Sequence, residues 1–493
     1  VFVAVDLGGE SGRIMSASVD ENGIRLDERH RFDTAPTNEH GHLVWDVERF
    51  HRSILDGLAA TPGAMSVGID GWGVDFALLR SDGSLAAPPR SYRDPLTAGI
   101  LPELFSHIPR RRLFERTGIQ MMEINTVCQL LAMSLSNEPA LAAAQHLLLI
   151  PDLLLHWLGA EPGCERTNAS TTQMLGLDGA WAADVLTATG VPRNLLPGVV
   201  EPGTVRGSVG GDRVPDGTSC NAALVSVASH DTASAVVATP LPAGGDAVFI
   251  SSGTWSLVGT ELSHPVVDDF ALRCNLSNEH GHGGTVRLLR NVMGLWLLQQ
   301  CRRTFRAEDG RWTSYEDLVA TAAAAPAFAA VVDPDNAAFL RTEDLPRTVA
   351  ELCTATRQAP PPSRAVLVRM LMESLALRYR WTIEALSTAS AQRFRAIHVV
   401  GGGSRNRFLC QLTADATGLP VTAGPAEATA TGNVIVQAIA TGHLEDVAHG
   451  RRLVATGGDL LHFEPIAEER WERAYERFCA LPGVGRPGDA PAA

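Results

Sequence analysis

A short theme occurs twice in this chain and limits its fold more than any single motif. The opening VFVAVDLGGESGRIMSASVD runs apolar over residues 1–5, breaks at the glycine-rich residues 8–12, and resumes as IMSASVD before the turn Glu21-Asn22-Gly23. That pattern is a strand, a glycine turn and a returning strand. After the proline and glycine punctuation TPLPAGGD, the stretch AVFISSGTWSLVGTEL repeats it. A unit that reopens each half predicts two related α/β lobes, 1–240 and 241–480, with a cleft between them. The tail 481–493, ending GVGRPGDAPAA, reads as disordered.

Between these landmarks the pattern alternates. A third strand is expected in RLDERHRFDT, a helix in WDVERFHRSILDGLAA, and a strand pair in MSVGIDGWGVDFALLRSDGS with its turn at Asp82-Gly83. Residues 100–160 turn helical, and the apolar strand ALVSVAS leads into His230 and Asp231. RLLRNVMGLWLLQQCRRTF and RAVLVRMLMESLALRYRWTIEALST carry helical spacing on either side of the linker QAPPPSR, and the strand AIHVV then delivers Gly401-Gly402-Gly403.

Composition removes whole classes of function. With 55 acidic against 41 basic side chains, a formal charge of −14, the chain is no general polyanion binder, and nucleic acid is not an expected partner. Every basic residue is arginine. Without lysine there is no Schiff base, no pyridoxal phosphate anchor, no Walker A lysine and no protein-kinase lysine. The eight cysteines are widely spaced with no CxxC pair, which fits a reduced, cytoplasmic setting. The first residues read as a strand without a basic n-region, and the apolar stretch LLLIPDLLLHWLGA is cut by Pro151 and Asp152, so neither export nor a membrane partner is expected.

Four constellations could carry chemistry. In Asp6-Leu7-Gly8-Gly9-Glu10-Ser11-Gly12-Arg13, glycines let main-chain N–H groups approach a phosphate, Ser11 adds a donor and Arg13 a permanent cation, while Asp6 could reach a magnesium ion through water. An ordinary hairpin with a glycine turn would look similar, and Glu10 is awkward beside phosphates. Gly401-Gly402-Gly403-Ser404-Arg405-Asn406 lacks the GxGxxG spacing of a dinucleotide fold, yet bare backbone at a helix start suits a nucleotide; a tight strand-to-helix connection is the plainer reading. In Ala228-Ser229-His230-Asp231-Thr232, charge follows an apolar strand abruptly, and Asp231 could take the proton of a sugar hydroxyl attacking a γ-phosphate, or simply cap the next helix. Asp70 and Asp75 bracket Gly71-Trp72-Gly73, where Trp72 could face a sugar or fill the core at a bulge.

Two loops, Asn38-Glu39-His40-Gly41-His42 and Asn278-Glu279-His280-Gly281-His282, offer an HxH pair, but no third and fourth ligand stands at a recognisable spacing, and both are read as chance resemblance. Asn291 and Gln299, eight apart on an expected helix, fall on nearly one face and could look into the cleft.

Taken together, DLGGESGR, SHDTASAV with SSGTWSLVG, and GGGSRN followed by Gln411, Asp415, Gly418-Leu419-Pro420-Val421, Glu427 and Gly432 resemble the FGGY carbohydrate kinases in order and spacing. Within that family HLVWDV, GIDGWGVDFALL, YRDP, ERTGIQ, INT, TNASTTQ and NVMGLWLLQ resemble the branch that phosphorylates L-rhamnulose at O1. The resemblance implies a two-lobed fold of the actin and hexokinase ATPase type, with ribonuclease H-like lobes and a central cleft where sugar and ATP meet. It puts the base on Asp231, sugar contacts on Gly73, His230, Asp231, Thr232 and Asn291, and nucleotide contacts on Gly9, Glu10, Ser11, Gly12, Arg13, Thr254, Gln299 and Gly402. Magnesium is implied by ATP, with Asp6 or Asp231 reaching it through water. Related kinases of L-fuculose, D-xylulose or L-ribulose, and a non-catalytic sugar-binding relative, remain open alternatives. Glu10, and Asn433 after Gly432, depart from the usual pattern.

Overall fold

The computed structural model describes residues 1–215, 221–242, 245–457 and 460–489. Its centre is a pair of sheets built to one plan. In the first, Phe2–Leu7 pairs antiparallel with Ser11–Asp20, which pairs with Gly23–Asp33. On its other side Phe2–Leu7 runs parallel to Ser66–Gly71, then comes parallel Ala223–Ser226 and antiparallel Thr204–Ser208. The second sheet repeats this order: Ala247–Ser252 pairs antiparallel with Trp255–Leu262 and onward to Val286–Met293, while its other flank carries parallel Ala396–Val400, parallel Val421–Ala423 and antiparallel Leu461–Phe463. One further strand, Ser277–His280, extends the second sheet beyond Val286–Met293. The repeated theme in the sequence is thus a repeated topology.

Central strands of both sheets are apolar and buried along their length, as sheets covered on both faces require. Long helices supply the cover. Arg364–Ser390 is capped by Ser363, whose hydroxyl accepts from the Val366 N–H, and buries most of its length in the second lobe. Ala428–Ala440, from the second half, crosses onto the first sheet: Gln437 Nε2 donates to the Val3 carbonyl at 2.9 Å, and Asn433 Nδ2 donates to Asp70 at 2.6 Å. It also lies against Asp231–Ala238, close enough that a Cβ on Gly432 would stand 1.7 Å from the Ser234 carbonyl oxygen. Asn433, unusual in the sequence, is accounted for by its bond to Asp70.

Several expectations need correction. The segment 286–293 is a strand rather than the start of a helix, because its backbone pairs on both edges, with Trp255–Leu262 and Ser277–His280, and the helix begins only at Trp296. Asn291 and Gln299 therefore stand on different elements. Ser66–Gly71 and Phe76–Leu79 do not pair with each other; the latter pairs with His146–Leu149 in a separate ribbon. The expected disordered tail is packed as far as residue 489: Val484 is 1% exposed, and Trp381 Nε1 donates to the Gly485 carbonyl at 3.0 Å, so an apolar anchor overrides the glycine-rich composition. Residues 490–493 and Cys220 lie outside the described residues; the seven described cysteines are unpaired. Among the described residues no helix is long and apolar enough to cross a membrane.

Gly432→Ala tests the crossing of the two helices. Forcing a methyl against backbone should cost about 1–3 kcal/mol, read as a lower urea midpoint at an unchanged slope. An unaltered midpoint would mean that the helices do not meet this closely.

Candidate active site

Both sheets aim the carboxyl ends of their central parallel strands at one cleft of about 960 Å³, the location expected for ligands in open α/β sheets. On the first sheet, Asp6 is in register with Asp70 on the parallel neighbour and with Arg13 on the antiparallel one. One strand further, Gly71 is bridged to His230, with the Gly71 N–H donating to the Ser229 carbonyl at 2.9 Å. Strand register therefore gathers Asp6, Asp70 and the His230-Asp231 pair at one level.

Asp231 is the first residue of its helix, where the positive end of the helix dipole favours a carboxylate. It is no N-cap: the cap position is His230, and Asp231 Oδ1 accepts from its neighbour's N–H, that of Thr232. A third of its side chain, 33%, stays open to the cleft, and His230 Nε2 lies 3.5 Å from Oδ1. Burial raises the Asp231 carboxyl above its ordinary 3.8, and the nearby Asp6 charge adds to this. Burial likewise raises Asp6, and Asp70 more strongly. Arg13 is the counter-charge: it pairs with Asp6 on its own sheet and with Glu427 from the second lobe.

The two glycine turns face each other. A methyl on Gly9 would stand 3.9 Å from Thr254 Oγ1, so the first lobe's turn and its echo in the second form opposite walls. Gly8, Gly9, Glu10, Ser11 and Arg13 line the cleft, as do Thr254, Gln299 and Gly402. Gly73, His230, Thr232 and Asn291 line it too, near Trp72. Gly12 does not; its missing side chain makes room for the Phe32 ring, which a Cβ would meet at 2.3 Å.

Family models for the FGGY family of carbohydrate kinases match the chain twice, the N-terminal domain over residues 1–238 and the C-terminal domain over 248–441. The chain belongs to this family. A rhamnulokinase of Bacteroides thetaiotaomicron is 39% identical over 97% of this chain and 98% of its own, and one of Pectobacterium carotovorum is 39% identical over 99% and 97%. Among solved structures, a ligand-bound xylulose kinase of Lactobacillus acidophilus superposes with a TM-score of 0.77 at 15% identity, covering 97% of each chain. A Plasmodium falciparum glycerol kinase with ADP gives 0.73 at 13% identity over 97% of this chain and 98% of its own. The protein is a carbohydrate kinase with the two-lobed fold of that group.

Within this kinase several residues do something other than the sequence suggests. Of the three glycines at 401–403, a Cβ on Gly403 would stand 2.0 Å from Ser252 Oγ and one on Gly401 3.1 Å from the Ser252 carbonyl, so those two serve close packing. A Cβ on Gly402 would meet open space, and all three glycines line the cleft. Glu10 is neutralised by Arg303, whose Nη2 lies 2.6 Å away on the helix Trp296–Asp309. Trp72 packs against Trp45 at 4.3 Å between centroids, the rings tilted by 39°, rather than standing free. Asp75 lies behind the cleft wall and accepts from Trp45 Nε1, Trp72 Nε1, Gln129 Nε2 and the Tyr92 N–H. Burial pushes its carboxyl up to about 7 against the pull of those four donors.

Sequence reasoning missed residues that act at long separation. Glu165 receives the N–H and Oγ of Ser229 and both donors of Thr167, which fixes the loop that carries His230. Val74, a β-branched residue at φ 68°, is held there by Thr171 Oγ1 accepting its N–H and Thr126 Oγ1 donating to its carbonyl. Glu279 and Arg287, paired across adjacent strands, reach His230 from the second lobe. The segment TNASTTQ was one available signal for the first two.

A nucleotide-borne magnesium ion keeps most of its waters and asks for one or two protein carboxylates. Asp6 and Asp231, two acidic groups crowded at the cleft floor, fit that demand. Among the described residues no group of three or more His, Cys, Asp or Glu is set to hold a metal.

Asp75→Asn would turn an amide NH₂ toward at least one of the four donors now served. The expected cost is about 1–3 kcal/mol in denaturant unfolding. Unchanged stability would contradict the bonding described.

Proposed function

We propose that this kinase transfers the γ-phosphoryl group of ATP to O1 of L-rhamnulose, giving L-rhamnulose 1-phosphate and ADP. The observation that carries the reading is Asp231, a partly open carboxylate on the cleft floor between the facing glycine turns and the wall formed by Gly73, His230, Thr232 and Asn291. Near-full-length likeness to rhamnulokinases supports the choice of sugar.

In this mechanism the triphosphate lies between the turn carrying Gly9, Ser11 and Arg13 and the turn carrying Thr254, with the nucleoside toward Gly402 and Gln299. Asp231 accepts the O1 proton as that oxygen attacks the γ-phosphorus, the bond to the β-phosphate oxygen breaks, and ADP departs. Without lysine, charge on the transferring group is met by backbone N–H dipoles, hydroxyls and the Arg13 guanidinium, which must turn from Glu427 toward the phosphates. Magnesium brought with ATP would be held by Asp6 and Asp231 through water and would offset charge on the β- and γ-oxygens. Closure of the lobes excludes water that would otherwise take the phosphoryl group.

Three measurements check this reading. Asp231→Asn should keep ATP and sugar affinity while kcat falls about 10²- to 10⁴-fold; near-normal kcat would remove Asp231 from the role of base. Since burial raises the Asp231 carboxyl and the base must be ionised, kcat/KM should fall with decreasing pH along a limb lying above the ordinary aspartate value of 3.8; a flat profile down to that value contradicts it. In a coupled ADP assay L-rhamnulose should exceed L-fuculose, D-xylulose and L-ribulose in kcat/KM, and a preference for another sugar would reassign the substrate.

A further inference from the structure

The strand Ser277–His280 introduces a network with no part in the chemistry above. Glu279 on Ser277–His280 stands directly across from Arg287 on Val286–Met293, and both are buried, Arg287 completely. From the second lobe they reach the ring of His230 on the first. Both Nη atoms of Arg287 point at His230 Nδ1, at 3.3 and 3.2 Å, and Arg287 is anchored by donating Nε and Nη2 to the His280 carbonyl. Glu279 Oε2 is 3.2 Å from the same ring nitrogen and 3.2 Å from Arg287 Nη2, yet has no donor aligned on it.

These two neighbours make opposite demands on one atom. A guanidinium can only donate, so it requires a lone pair on Nδ1; an ionised carboxylate can only accept, so it requires a proton there. Alignment favours the guanidinium. In the neutral ring the proton then sits on Nε2, the nitrogen 3.5 Å from Asp231 Oδ1 on the side that lines the cleft. Glu279 balances the charge of Arg287 and does not take the ring proton.

The geometry points to Arg287 as a positioning residue that, from the second lobe, fixes His230 as an Nε2–H donor toward the sugar oxygens beside Asp231. A ring in this state cannot offer Nε2 as a second base, so proton removal falls to Asp231 alone. The inference rests on the sugar-kinase reading for its kinetic consequence, but the position of the ring proton can be read without any substrate.

The test combines ¹⁵N NMR of the His230 ring with steady-state kinetics on the full-length protein. The wild-type neutral ring should show the Nε2–H pattern. In Arg287→Met, Glu279 becomes the nearest partner of Nδ1, and the proton should move to that nitrogen; kcat/KM for the sugar should fall about 10- to 100-fold with KM for ATP unchanged. Arg287→Lys, which restores a donor, should recover the Nε2–H form and most of the activity. Should Arg287→Met fail to fold because Glu279 is left as an unpaired buried charge, the double variant Glu279→Gln/Arg287→Met carries neither charge and should lose the preference for one tautomer. An Nδ1–H ring in the wild type, an unmoved tautomer in folded Arg287→Met or in the double variant, or a sugar kcat/KM of Arg287→Met within twofold of wild type would each overturn the assignment. A wild-type protein that phosphorylates no ketose but shows the Nε2–H ring and its shift would instead overturn the substrate reading.

Discussion

Three carboxylates, Asp6, Asp70 and Asp231, are drawn to one level of the first sheet by strand register, the first two buried and the third partly open. Burial raises the proton affinity of all three, and like charges add to it, from Asp6 and Asp231 at Asp70 and from Asp6 at Asp231. Much of the surrounding architecture answers that problem. Arg13 sits opposite Asp6 in the neighbouring strand, Asn433 reaches Asp70 from a helix of the other half, and Asp231 is placed at a helix start where the backbone dipole supports its charge. The result is a single carboxylate left partly open, in a position to exchange a proton with a ligand.

The contacts that tune this centre cross between the lobes. Arg13 meets Glu427, Glu10 meets Arg303, Asp70 meets Asn433, and His230 meets Glu279 and Arg287. Each joins a residue on or near the first sheet to one from the second half of the chain. Asn433 stands on a helix packed against the first sheet and would move with it, whereas relative movement of the lobes would alter the other three. The first of these pairs holds the Arg13 guanidinium at the cleft, and the last holds the His230 ring beside Asp231.

Much of the architecture is legible in the sequence because it is local. The recurring strand, glycine turn and strand announces two lobes, and charge appearing abruptly after an apolar strand marks His230 and Asp231. The failures have equally plain causes. Residues 286–293 carry a spacing compatible with a helix, and only their pairing with Trp255–Leu262 makes them a strand. The tail looks unstructured until Val484 finds its pocket. Glycines at 401 and 403 also admit the close approach of Ser252, some 150 residues earlier, which no local pattern announces. Glu165 and Arg287 act through side chains more than fifty positions away, and no local pattern encodes such contacts.

The central claim is that the Asp231 carboxylate faces the hydroxyl that becomes phosphorylated. A crystal structure of the kinase with L-rhamnulose and a non-transferable ATP analogue measures this directly. An Asp231 oxygen is expected at about 3 Å from O1, with O1 in line with the γ-phosphorus. O1 lying beyond reach of Asp231 even through one water, or facing Asp6 or Asp70 in its place, would contradict it.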